Sequence, residues 1–235
     1  MPKFLNLIME QQLSEEDLKN IAKQLGCPEG EHGIKTGEMM HANNIGMTTS
    51  AIEALNLQSG ETVLEIGHGN GGHIAQLLSK AENLHYFGAD ISATIIAEAE
   101  KINQDFITKG KVHFQLTDGN TLPFEDDRFD KIFTVNTIYF WTNPSEYLNE
   151  IKRTLKPDGT LAICFADKNF MKNLPFTPYG FTLYEVETVK ELLEKAGFAI
   201  KNRLKKLEQV QSKTGEKIER AYYVVIATTE HRPRL

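Results

Sequence analysis

Three acidic residues and one glycine-rich loop carry the clearest chemical signal in this chain. The segment Val63-Leu64-Glu65-Ile66-Gly67-His68-Gly69-Asn70-Gly71-Gly72 reads as an apolar strand running into glycines and then a helix. Glycines let the backbone approach a ligand, and a helix start presents unpaired N–H groups. Gly67, Gly69 and Gly72 satisfy the G-x-G-x-x-G pattern of dinucleotide sites, so the loop alone does not choose a ligand. Glu65 separates the readings. A carboxylate just ahead of the first glycine would repel a pyrophosphate and welcome a cation. Asp90 closes the next apolar segment (HYFGAD), placed to accept from two ribose hydroxyls. Asp118 closes the one after (VHFQLTD), where an adenine amino group would need an acceptor. Any one of these acids reads equally well as a solvated strand end; all three in register do not.

S-adenosylmethionine is one ligand with these properties: its sulfonium and amino groups are cationic and it carries no phosphate. The elements that must position the acids follow from periodicity. Strands are expected at 62–66, 84–88, 112–116, 131–135 and 160–165, short and apolar as strands covered on both faces should be. Ser92 caps a helix expected to run to about Lys109, and Asn143-Pro144 opens another with Tyr147, Leu148, Ile151 and Leu155 on one face. Thr182 with Glu185 reads as a capping box ahead of Val186, and Gly197 ends that helix. Alternating strands and helices imply a parallel sheet. The segments 200–210 and 219–229 have no helix between them, only a polar turn over 211–217, so they should pair antiparallel. The expected fold is α/β: a Rossmann-like, seven-stranded, mostly parallel sheet with an antiparallel C-terminal hairpin and helices on both faces.

Ahead of this pattern, Ser14 caps a helix that Gly26 closes, 28–37 (PEGEHGIKTG) reads as a loop, and a second helix covers 38–55. Residues 1–56 therefore read as a helical cap or lid, and 57–235 as the main domain.

Composition bounds the partners. With 26 Lys and Arg against 32 Asp and Glu, the net charge of −6 disfavours a nucleic-acid backbone. The one basic stretch, Lys201–Lys206 (KNRLKK), reads as a solvated strand face. The two cysteines, Cys27 and Cys164, are far apart and match no disulfide or zinc pattern, so a cytoplasmic protein without a metal is expected. No apolar run approaches the roughly 20 residues that span a bilayer.

Over about 45–198 the chain resembles class I S-adenosylmethionine-dependent methyltransferases, within the broad group similar to ubiquinone and menaquinone-biosynthesis enzymes. The resemblance rests on VLEIGHGNGG, GADIS, DGNTLPFEDDRFDKI, NTIYFW, EIKRTLKPDGTLAI and LLEKAGF. It implies that Glu65, Gly67, His68 and Gly69 line the methionine end of the cofactor, with Asn136 beside it. It likewise implies Asp90 and Ile91 at ribose and adenine, and Asp118 with Gly119 at the adenine edge. Asp158 stands where the family turn has glycine, and the N-terminal signature of a quinone enzyme is absent.

Methyl transfer by in-line displacement mainly requires alignment of the acceptor and exclusion of water. Tyr139 and His68 are the candidates for acting on a small-molecule acceptor; Phe140 and Trp141 are favoured as packing residues. His68 and His73 lack a third metal ligand nearby. Met39, Met40 and Asn44 are placed to fold over the cofactor, and the aromatic, aperiodic segment 167–184 to complete the roof. Two alternatives stay open: a non-catalytic S-adenosylmethionine-binding module, and a nicotinamide-dependent oxidoreductase, which Glu65 disfavours.

Overall fold

The computed structural model describes residues 13–211 and 217–229. Five parallel strands, β1 (Thr62–Ile66), β2 (His85–Asp90), β3 (Val112–Leu116), β4 (Phe129–Val135) and β5 (Leu155–Ala166), form most of one sheet. The hairpin strands β6 (Phe198–Gln211) and β7 (Lys217–Thr229) complete it antiparallel, in the order β3-β2-β1-β4-β5-β7-β6. The expected seven-stranded fold is therefore present, and the order reverses direction between β1 and β4. The turn expected to join the hairpin strands lies, at 212–216, outside the described residues.

Helices α1 (Glu15–Gly26) and α2 (Gly30–Ala54) precede the sheet; α3 (Ile74–Leu78), α4 (Ala93–Ile102) and α5 (Gln104–Thr108) flank β2. Then come α6 (Pro144–Thr154), α7 (Lys168–Met171) and α8 (Val186–Lys195). α1 opens with a capping box between Ser14 and Asp17. The core between sheet and helices includes the fully buried Tyr86, Phe129, Phe133 and Phe165; α2 adds Met47 and Ile52 to it, and Leu55 follows at the helix end. The second half of α2 is thus part of the main core. Among the described residues no helix is long and apolar enough to cross a membrane.

Four local expectations are corrected. Residues 30–37 are helix, not loop, so α2 runs 25 residues. Gly33 and Gly37 are buried on its inner side, and a Cβ at Gly37 would lie 2.7 Å from Ile95 Cδ1. Close packing, of Gly33 on Pro28 and of Gly37 on α4, outweighs the roughly 1 kcal/mol helix cost of each glycine. The helix expected from Ser92 to Lys109 breaks at Asn103, whose buried amide donates to the carbonyls of Ala99 (2.9 Å) and Gly71 (3.1 Å), tying the helix to the glycine loop. The Thr182 capping box does not form; α8 starts from Glu185 without a side-chain cap, and the Thr182 N–H donates to the Tyr139 carbonyl. The segment 167–184 contains α7 and packs down, with Phe181 against Phe140 (4.6 Å between ring centres) and Tyr139 (5.9 Å).

The basic stretch on β6 is engaged by its neighbours: Arg203 pairs with Glu187, Lys206 donates to Ser50, and Lys205 lies over Tyr223. Beyond Ala166, which pairs with Tyr222, β6 and β7 continue alone to Gln211 and Lys217. The hairpin therefore overhangs the carboxyl end of the sheet.

Candidate functional site

A cavity opens at the carboxyl ends of β1, β2 and β4, where the strand order reverses, the usual ligand position in open α/β sheets. Its floor is the glycine loop. Gly67 has φ 72°, and a Cβ there would collide with Thr137; only glycine serves. Of the anticipated residues, Glu65, Gly67, His68, Gly69, Asp90, Ile91, Gly119 and Asn136 all line the cavity.

Glu65 is almost wholly buried, at 2% exposure. Its Oε2 accepts from Tyr86 Oη (2.5 Å) and from His73 Nε2 (2.7 Å), so part of the carboxylate is used inside the protein. Neither partner follows from spacing. The loop histidine is tied to its own loop: Nδ1–H of His68 donates to the Gly69 carbonyl (2.6 Å), since a carbonyl can only accept. Its Nε2 is buried and without a hydrogen-bond partner, and the ring tilts against Phe114 at 4.7 Å.

Asp90 accepts from the Ser92 N–H at 2.9 Å. Burial raises its pKa above the ordinary carboxylate value, opposed by the neighbouring His68 and by backbone N–H groups. Asn136 sits at φ 59°; its Oδ1 accepts from Tyr139 Oη (3.1 Å) and Ala166 N–H (3.2 Å).

Two anticipated side chains are elsewhere. Asp118 is exposed and does not line the cavity, although Thr117 and Gly119 beside it do. Its Oδ1 closes a turn by accepting from the N–H groups of Asn120 (2.8 Å) and Thr121 (2.7 Å), which hold its pKa below the usual range. Tyr139 is buried at 2% exposure beneath the wall. Its hydroxyl accepts from Ala166 N–H (2.7 Å), and burial pushes its pKa far up, which does not suit a base. By contrast Phe140 and Trp141, read as packing residues, both line the cavity.

The roof is α1 and α2. Leu25, Gly26 and Pro28 line the cavity with Met40, His41, Asn44 and Thr48, whereas Met39 and 167–184 do not. Sequence reasoning missed His41 and Thr48, yet both lie at helical spacing from Asn44. His41 stacks on His73 at 6.2 Å, and its pKa is lowered by burial and by His73. Among the described residues no group of three His, Cys, Asp or Glu side chains is placed to hold a metal ion.

The family profile described as "Methyltransferase domain" matches residues 57–221. The chain belongs to that family. With the sheet order and glycine loop above, it is a class I S-adenosylmethionine-dependent methyltransferase, and the oxidoreductase alternative is set aside. It is 30% identical over 130 residues to the methyltransferase YdaC of Bacillus subtilis, covering 54% of this chain and 68% of that one. To phosphoethanolamine N-methyltransferase 1 of Zea mays it is 30% identical over 157 residues, 65% of this chain but only 31% of that enzyme. The fold is shared with phosphoethanolamine N-methyltransferase 2 of Haemonchus contortus, a structure with phosphomonomethylethanolamine and S-adenosylhomocysteine, at TM-score 0.67 and 17% identity over 91% of this chain and 61% of that one.

Proposed function

We propose that this methyltransferase acts on a small-molecule acceptor held between α2 and the Phe140–Trp141 wall. The observation that carries the cofactor end is the Asp90 carboxylate lining the cavity beside the glycine cradle at the end of β2. The hydroxyl donors of a ribose suit that carboxylate. Gly67, Gly69, Ile91, Gly119 and Asn136 complete the holding set, with the backbone at Thr117–Gly119, rather than the Asp118 side chain, at the adenine edge. When bound, S-adenosylmethionine supplies an electrophilic methyl group on a sulfonium. The chain's own residues exclude water and align the acceptor for in-line attack: Met40, Phe140 and Trp141 supply apolar walls, and α2 covers the opening. Aromatic faces also favour a cation nearby.

Small acceptors are supported by the relatives, several of them phosphoethanolamine N-methyltransferases, and by the net charge of −6. The test is transfer of labelled methyl from S-adenosylmethionine into fractionated cell extract, with phosphoethanolamine in a parallel assay. Label should enter the small-molecule fraction. Label confined to nucleic acid or protein would contradict the reading.

A further inference from the structure

Asn44 lines the cavity from α2, and a second element dictates which way its amide faces. Arg220, on the overhanging part of β7, is 7% exposed. Its Nε and Nη2 donate to Glu208 Oε1 (2.8 and 2.7 Å), its Nη2 also to the Asn43 carbonyl (2.5 Å), and its Nη1 to Asn44 Oδ1 (3.2 Å). A guanidinium only donates, so the Asn44 oxygen must face Arg220 and its NH₂ must face away. Among the described residues no partner takes those Nδ2 protons. The contact is built from both sides. A Cβ at Gly46 would run into the Glu208 carboxylate, so the glycine lets the hairpin come close to α2 at this point.

We infer that Asn44 reads the methyl acceptor and that Arg220 is the positioning residue that turns its amide into the cavity. The acceptor is then a molecule with an apolar body and an oxygen able to accept a hydrogen bond. This rests on the reading of the cavity given above. Thr48, one turn along α2, adds a second polar group to the same face, while Met40, Phe140 and Trp141 offer apolar surface for the body. An amide whose carbonyl is tied up can only donate to what lies in front of it. It therefore favours a phenolic or carboxylate oxygen over an ammonium, which has protons to give and no lone pair.

The test uses the full chain saturated with S-adenosylhomocysteine, isotope-labelled at asparagine side chains, and titrated with benzoate, phenol and benzylamine. The Asn44 signal is the one missing from Asn44→Leu. Benzoate and phenol should shift it and benzylamine should not. Asn44→Leu should weaken benzoate binding about 10- to 150-fold, the worth of a hydrogen bond to a charged group, and S-adenosylhomocysteine binding far less. Arg220→Lys keeps the charge but loses the fork and should show the same loss with Asn44 still present. Asn44→Asp, which exchanges a donor for an acceptor, should reverse the preference toward benzylamine, a change that a merely structural role would not produce. Equal binding of benzylamine and benzoate to the unaltered protein, failure of every probe to move the Asn44 signal, or benzoate affinity unchanged in Asn44→Leu would overturn the inference. If S-adenosylhomocysteine itself does not bind, the cavity reading fails and takes this inference with it.

Discussion

Asp90 shows what a ligand site costs at the level of one residue. Its folded-state pKa is raised by burial, so the folded protein binds that proton more tightly than the unfolded chain does. The sign follows: at neutral pH the ionised carboxylate opposes folding, and the opposition fades as pH falls toward the raised value. Asp90→Asn should therefore raise the melting temperature near neutral pH while weakening S-adenosylmethionine about 10- to 150-fold, the worth of hydrogen bonds to a charged group. In the unaltered protein, affinity should begin to fall on acidification while still above the ordinary aspartate value of 3.8. Thermal scans and calorimetry across pH check both; a lowered melting temperature with full affinity would contradict the assignment. Tyr139 carries the opposite expectation. Its hydroxyl is used by Asn136 and Ala166, so Tyr139→Phe should cost about 1 kcal/mol of stability and leave the pH dependence of turnover unchanged. A lost limb in the pH–rate profile would restore it as a base.

At the scale of elements, the difference between legible and illegible parts has a physical cause. The position of the glycine loop and of the acids at 65 and 90 on the cavity is readable from sequence because strand ends and turn chemistry are local. The Asp118 side chain lies outside the cavity because an acid at a strand end can equally close its own turn, as its bonds to Asn120 and Thr121 show. The helical state of 30–37 was hidden because glycines argue against helix until the partner they admit, Ile95, is known. The Glu65–His73–Tyr86 cluster joins three elements and leaves no spacing to read. The roof follows the same logic: aperiodicity marks 167–184 as a lid, but its Phe181 packs on Tyr139 and Phe140 beside the cavity. S-adenosylmethionine should therefore slow hydrogen exchange in the glycine loop and in the cavity-facing part of α2, residues 40–48, and leave 168–184 little changed. Strong protection of 168–184 would return it to the roof.

For the whole molecule, the sheet order brings the ends of β1, β2 and β4 together under α2, and the hairpin overhang holds that helix from the far side through Arg220. The cavity wall is thus assembled and braced by segments nearly 180 residues apart, which is why its glycine-loop side is legible from one motif and its α2 side is not. The central claim is that this cavity takes S-adenosylmethionine and not a pyrophosphate-bearing dinucleotide. Calorimetric titration of the unaltered protein with S-adenosylmethionine, and separately with NADH, tests it directly. Saturable binding of S-adenosylmethionine with no heat from NADH is the predicted result; saturable binding of NADH with none of S-adenosylmethionine would contradict it.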